Sequence, residues 1–275
     1  MYDLQGQVAL VTGAGGEHGI GYAIARRLAE EGADVVVNDV SARPYPEAEW
    51  GGLDAAVAAI EALGRRSACV VADVGDPQQV DRMVAQTLEK MGRIDILVNN
   101  AGTLAGWDRV PVVELEVDLF DAVQRTNVRG TYLVSRAVAR HMLERGGGGR
   151  VINISSIAGR TGTARYSAYN ASKFAVVGFS QALSQELAPA GITVNTICPG
   201  LVKTERVVPL AMTALPDLDP EPRLRQFLEG YAARNPIGRV ADPGEVANTA
   251  AFLASGEAAY LTGIAINVCG GVRMD

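Results

Sequence analysis

Nearly uninterrupted apolar runs, short and rich in β-branched residues, alternate with amphipathic helical segments along almost the whole chain. This rhythm restricts the fold more than any other feature of the sequence. The runs are residues 8–11, 34–38, 68–72, 94–99, 150–154, 192–197 and 264–268. A strand wetted on one face would alternate apolar and polar residues, so continuous runs predict strands covered on both faces. Between them, segments 20–31, 53–63, 77–91, 113–144, 167–187 and 243–254 carry the helical period, as with Ile20, Ile24 and Leu28 along one face. Strand–helix alternation of this kind predicts an α/β fold with a doubly wound, seven-stranded parallel sheet in the order 3-2-1-4-5-6-7 and helices on both faces.

Nothing in the sequence reads as a linker, and one domain over residues 1–275 is expected. The four glycines at 146–149 stand between a helix and a strand of the same sheet and read as a helix stop. Two stretches break the rhythm. Residues 41–52 form a long loop after the second strand. Residues 201–236 form an excursion after the sixth, with Asp219 and Pro220 as N-cap and first helical residue. There Leu224, Phe227, Leu228 and Tyr231 give one amphipathic stripe, which predicts a single helix over the C-terminal edge of the sheet, placed as a substrate lid.

Composition excludes several classes of function. Hydrophobic residues make up 48% and charged ones 20%, enough apolar material for a packed core. A net charge of −6 argues against a nucleic-acid partner, because phosphate backbones need a basic surface. Three cysteines (Cys69, Cys198, Cys269) and two histidines predict neither a disulfide framework nor a metal site. The opening MYDLQGQVALVTG lacks a basic segment leading into an apolar one, so no signal peptide is expected, and no run suits a membrane helix. A cytoplasmic protein is the expectation.

The first apolar run leads into Gly13, Ala14, Gly15, Gly16, Glu17, His18, Gly19, Ile20 and Gly21, a glycine-rich turn opening a helix. Such a turn lets backbone approach a pyrophosphate, and the helix start offers unpaired N–H groups. Asp39 ends the next strand, where a carboxylate would accept hydrogen bonds from ribose hydroxyls and repel a 2′-phosphate. NAD is therefore expected in preference to NADP. Asp73 and Val74 end the third strand, where the carboxylate could meet an adenine amino group. Asn99, Asn100, Ala101 and Gly102 end the fourth, where small residues let a ribose pack against backbone.

At the other end of this edge, Ser155 and Ser156 close the fifth strand, and Tyr169 and Lys173 share one face of the following helix. A free phenol is a poor base at neutral pH; a neighbouring ammonium favours its ionised form.

Taken together, Thr12-Gly13 with Gly19-Ile20-Gly21, Asn99 to Gly102, Asn127, Ser156, Tyr169 with Lys173, and Pro199-Gly200 resemble the short-chain dehydrogenase/reductase family. They do so in order over nearly the whole chain, with Ser156 standing 13 residues before Tyr169. The resemblance implies a Rossmann-type sheet and an oxidoreductase that interconverts a secondary alcohol and a ketone by hydride transfer with NAD. Tyr169 would be the acid/base, and Ser156 would orient the substrate oxygen. Lys173 would bind the nicotinamide ribose and depress the tyrosine pKa. Asn127 would hold a water in a proton relay. Pro199, Gly200, Val202 and Thr204 would bind the carboxamide. It also implies a small-molecule partner and a homotetramer formed through the long fourth and fifth helices and the C-terminal strand edge.

One feature departs from the family pattern. Five residues, 14–18, separate Gly13 from the Gly19-Ile20-Gly21 step, where the family usually has three. That spacing is similar to a divergent branch, the enoyl-thioester reductases, whose tyrosine and lysine are separated by six residues, as Tyr166 and Lys173 are. A carbon–carbon double-bond reductase using Tyr166 is the alternative, and a non-catalytic NAD-binding relative is a third reading. Glu17 and His18 stay unassigned, and His141 reads as a solvated or interface residue. Substrate-wall candidates are residues 157–165, with Arg160 and Arg165, residues 103–109, and the lid, with Trp107 and Leu201 as apolar surface.

Overall fold

The computed structural model describes residues 2–103 and 106–274. Its sheet is built from β1 (Val8–Thr12), β2 (Asp34–Asp39), β3 (Ser67–Val71), β4 (Ile96–Asn99), β5 (Gly149–Ile154), β6 (Ile192–Pro199) and β7 (Ala265–Val268). All neighbours pair in parallel, in the order β3-β2-β1-β4-β5-β6-β7. Strand β1 shows why the runs are continuous. Ala9 and Val11 enter one core, and Val8 and Leu10 enter the other, on the opposite face. Fully burying each larger side chain contributes about 1.5–3 kcal/mol, so every second residue on both faces must be apolar.

One face is covered by α1 (Ile20–Glu30), α2 (Leu53–Glu61) and α9 (Pro243–Ala254), whose Ile24, Leu28, Ile60 and Val246 are fully buried. The other is covered by α3 (Pro77–Met91), α5 (Thr131–Arg145) and α6 (Ser167–Leu187), with Met83, Val134 and Met142 at the centre. Asp76 caps α3 by accepting from the Gln78 and Gln79 amides, and Asp242 with Glu245 closes a capping box on α9. No helix among the described residues is long and apolar enough to cross a membrane.

The expected helix over 113–144 is not one α-helix. A 3₁₀ turn (Val112–Glu114) precedes extended backbone at Leu115 and Glu116, then comes α4 (Val117–Gln124). A π turn (Arg125–Gly130) follows before α5. The extra residue in that turn brings Gly130 against Val74, where a Cβ would lie 2.7 Å from a Val74 methyl. His141 is half-buried: its Nε2 accepts the Ile94 amide at 3.2 Å, and burial pushes the imidazole pKa down, which favours the neutral, accepting form.

The excursion after β6 holds two helices, α7 (Val207–Ala214) and α8 (Pro220–Ala232), packed on each other, where the sequence predicts one. Asp219 is the N-cap and Pro220 the first residue of α8, though the Asp219 side chain makes no capping bond. The stripe on α8 is only half-buried. Its Tyr231 hydroxyl accepts the Leu201 amide at 2.9 Å and so fixes the turn that leaves β6.

Candidate active site

At the C-terminal ends of the parallel strands the crossovers diverge, and a cleft of about 480 Å³ opens there. It is lined from the β1–α1 turn and the end of β2, across β4, to Ser156, Tyr169 and Lys173. Every cofactor-site residue expected from the sequence lines it: Gly13, Gly19, Ile20, Asp39, Asp73, Val74, Asn100, Ala101, Gly102, Tyr169, Lys173, Pro199, Gly200, Val202 and Thr204. Asn127 lies behind the lining.

The glycine turn is held by its neighbours. Gly13 has φ +65, and a Cβ there would stand 2.8 Å from the Ala101 Cα, so the position is closed to larger residues. Asn100 donates from Nδ2 to the carbonyls of Thr12 and Gly13 at 3.0 and 2.8 Å, while the Thr12 hydroxyl accepts the Asn100 and Ala101 amides at 3.1 Å each. These bonds join the ends of β1 and β4 into one floor.

The lengthened turn finds its partners in the loop after β2. Asp39 accepts the Gly15 amide through Oδ2 at 3.0 Å and the Val40 amide through Oδ1 at 2.8 Å. Trp50 donates from Nε1 to the Gly15 carbonyl at 3.1 Å, and its ring lies against Tyr22 on α1, centroids 5.1 Å apart. Pro44 lies so close to Gly15 that a Cβ there would stand 2.8 Å from the proline ring. Burial pushes the Asp39 carboxyl up, against the two amide bonds that pull it down. Each oxygen keeps a lone pair for a further donor. Asp73, by contrast, is already engaged: it pairs with Arg125 at 2.8 Å and accepts the Gly75 amide at 2.8 Å.

At the other end, Tyr169 stands one turn before Lys173 on α6, the Lys173 Nζ 5.6 Å from the phenol ring centroid. Lys173 is buried and donates to the Ile154 carbonyl at 2.9 Å. Burial alone would push the Tyr169 phenol up; Lys173, Arg206, the nearby Ser156 hydroxyl and Arg109 outweigh it and hold the phenol below its ordinary value. Burial also pushes the Lys173 ammonium down. Ser156 is fixed at the end of β5, accepting the Ala158 amide at 3.1 Å and donating to the Pro199 carbonyl at 3.5 Å. Asn127, in the π turn, donates to the Ser172 hydroxyl at 3.0 Å and accepts the Thr103 amide at 3.0 Å. It thus ties the loop after β4 to the residue preceding Lys173.

Tyr166 is the N-cap residue of α6 and, unlike Tyr169, does not line the cleft. Of the wall candidates, Leu201 lines it, Trp107 is 82% exposed, and Leu104 and Ala105 lie outside the described residues. Cys198 is buried under Ser155 and Ser156, its thiol pushed up by burial. Three groups in and around the cleft fall inside stretches that the sequence marks by position only, without a motif of their own: Arg109 in the loop after β4, and Glu205 and Arg206 in the excursion after β6. Glu205 and Arg206 follow Thr204 and line the cleft; Glu205 accepts the His18 amide at 2.8 Å, and an Arg206 nitrogen lies against Gly102. The glycine floor, the paired acceptors of Asp39 and the small residues at 100–102 fit a dinucleotide with its nicotinamide end toward Tyr169.

The profile of a family described as enoyl-(acyl carrier protein) reductase matches residues 13–273. A short-chain dehydrogenase/reductase of Armillaria gallica is 40% identical over 274 residues, covering 98% of this chain and 97% of its own. A 3-oxoacyl-[acyl-carrier-protein] reductase of Synechocystis is 40% identical over 275 residues, covering 100% of both chains. The crystal structure of carveol dehydrogenase from Mycobacterium avium in complex with NAD superposes with a TM-score of 0.89 at 29% identity, over 99% of each chain. With the sheet order, the cleft and the whole-length matches in agreement, this chain belongs to the short-chain dehydrogenase/reductase family of oxidoreductases.

Proposed function

We propose that this protein is an NAD-dependent oxidoreductase that interconverts a secondary alcohol and a ketone, with Tyr169 as its acid/base. The observation that carries this reading is the placement of Tyr169, Lys173 and Ser156 at one end of a cleft whose other end is Asp39. A bound nicotinamide would supply or take up the hydride. The chain's own residues handle the proton and the placement. Tyr169 takes the hydroxyl proton in oxidation and returns it in reduction, and Ser156 orients the substrate oxygen. Lys173 favours the phenolate and offers donors to ribose hydroxyls. Asn127, through Ser172 and Thr103, keeps the loop after β4 in register with α6 and would serve a water relay from Lys173 to solvent.

The name of the Synechocystis relative, a 3-oxoacyl reductase, supports a ketone as the reducible group. The matching family is described as an enoyl reductase, but Tyr166 stands outside the cleft lining while Tyr169 stands in it, which favours the carbonyl reading. Two amide bonds to Asp39 orient its carboxylate toward the cleft and support NAD over NADP. Residues 201–236, as α7 and α8, form the substrate lid in this reading. Exposed Val117 and Phe120 on α4, Tyr132 on α5 and Phe174 on α6 offer apolar surface for a homotetramer. A cytoplasmic setting is part of the same proposal.

The test is Tyr169→Phe. NADH binding, followed by fluorescence, stays within about twofold of wild type, while NADH formation with a panel of secondary alcohols at alkaline pH falls by at least about 10²-fold. Near-normal turnover in that variant sinks the assignment.

A further inference from the structure

Arg109 stands in the loop after β4, only 4% exposed, beside Asp108, also 4% exposed, with which it forms an ion pair. Removing a guanidinium from water is costly even when it is paired, and this pair joins adjacent residues, which could meet equally well in solvent. Its other contacts therefore hold it inside. The guanidinium carbon lies 4.1 Å from the Tyr166 ring centroid and 4.3 Å from that of Tyr169, so one planar cation contacts two tyrosines of the same helix start. Its buried Nε has no hydrogen-bond partner. The position favours stacking over hydrogen bonding. Tyr169 lines the cleft, whereas Arg109 and Tyr166 do not, so Arg109 reaches the chemistry through the phenol.

Resting on the reading of Tyr169 as the acid/base, we propose that Arg109 is a positioning residue for it. Stacked on Tyr166 and Tyr169 and balanced by Asp108, it fixes the plane of the phenol and keeps a permanent positive charge against its ring. The charged and titratable groups around that phenol come from each element near it: Lys173 from α6 and Tyr166 from its N-cap, Ser156 from the loop after β5, Arg206 from the segment after β6, and Asp108 with Arg109 from the loop after β4. Among the cations, Lys173 would contact the cofactor as well and Arg206 lines its cleft; Arg109 alone lies outside the lining. It therefore acts on the phenol whether or not cofactor is bound. Arg109 agrees in sign with Lys173 and Arg206 in holding the phenol down.

The experiment is a near-ultraviolet tyrosinate titration, each protein read against the same protein carrying Tyr169→Phe, so that only the Tyr169 proton is seen. In Arg109→Met the Tyr169 midpoint rises by about one pH unit, and the acid limb of the kcat profile for alcohol oxidation moves with it. In Arg109→Lys, which keeps the charge without the planar stack, the midpoint stays closer to wild type while kcat falls at every pH. Should the unpaired Asp108 unfold Arg109→Met, the Asp108→Asn/Arg109→Met pair carries the same measurement, with retained NADH binding reporting the fold. A titration that superimposes on wild type overturns the proposal, even where activity is lost, because a purely structural role would lower turnover without moving the midpoint. Near-normal turnover in Tyr169→Phe would instead overturn the assignment of the acid/base, so the two failures are distinguishable.

Discussion

The Glu205 carboxylate accepts the backbone N–H of His18 at 2.8 Å, carrying the segment after β6 across the cleft to the lengthened glycine turn. Tyr45 lies over the neighbouring Gly16, so the turn meets one loop from each side of the cleft. An amide in the glycine turn just ahead of α1 is the kind of donor a pyrophosphate uses, and a carboxylate on it competes with the ligand in both position and charge.

Replacing Glu205 by Ala frees that amide and removes the charge. One hydrogen bond to a charged group and its repulsion are worth on the order of 1 kcal/mol here, which corresponds to NADH binding roughly three- to tenfold tighter. Loss of the bond also releases the segment leading into α7, seen as quicker proteolysis between residues 204 and 220. Unchanged or weaker NADH binding in a fluorescence titration would show that Glu205 does not compete for the site.

Asp39 sets the second prediction. Its two oxygens are aimed by the Gly15 and Val40 amides, and a 2′-phosphate would bring two negative charges against them. Asp39→Ala should weaken NADH by about tenfold and improve NADPH, narrowing the preference from both directions. Because burial raises this carboxyl, it takes up its proton at a higher pH than an ordinary aspartate. NADH affinity in the wild type therefore declines on the acid side sooner than an exposed aspartate would allow, and that decline is absent in Asp39→Ala. Isothermal titration across mildly acidic pH checks both statements; a wild-type preference for NADPH contradicts the first.

The sheet was legible because its information is local and repeated. Each apolar run must be apolar on both faces, so a boundary error of one or two residues, as at β3 or β4, leaves the order intact. The cleft residues were legible for a related reason, since Gly13, Asp39, Asn100, Ser156 and Pro199 stand at strand ends whose relative positions the topology determines. The rest depends on long-range placement. The π turn at 125–130 adds one residue within continuous helical backbone, and no residue type marks it, so the sequence reads an uninterrupted α-helix there. Helix α7 carries Pro209 in its first turn, where amides lack intrahelical partners anyway, and its run of apolar and small residues shows no polar face to mark it. Arg109 and Glu205 come from loops, and their partners lie on other elements, Tyr169 being 60 residues away from Arg109 in the sequence.

Beneath the cleft lies a network of which the sequence marks only Asn99, and it yields the last prediction. Asn99 donates from Nδ2 to the Ser135 hydroxyl at 2.9 Å and to Asn153 Oδ1 at 2.8 Å, and Asn153 donates to the Ser180 hydroxyl at 2.8 Å. These side chains are buried and join β4, β5, α5 and α6; β4 and β5 lead into Asn100 and Ser156, and α6 carries Tyr169. Asn153 has no exposed surface, so its amide can be satisfied only by these partners. Asn153→Ala leaves Asn99 with one acceptor fewer and Ser180 without its donor, at a cost of about 2–3 kcal/mol in unfolding free energy. Asn153→Leu, which fills the volume but not the bonds, should be no better, because the unsatisfied partners rather than the cavity dominate. Urea unfolding measures both. If Leu restores wild-type stability, the loss in Ala is one of packing, and the network does not hold the two ends of the cleft together.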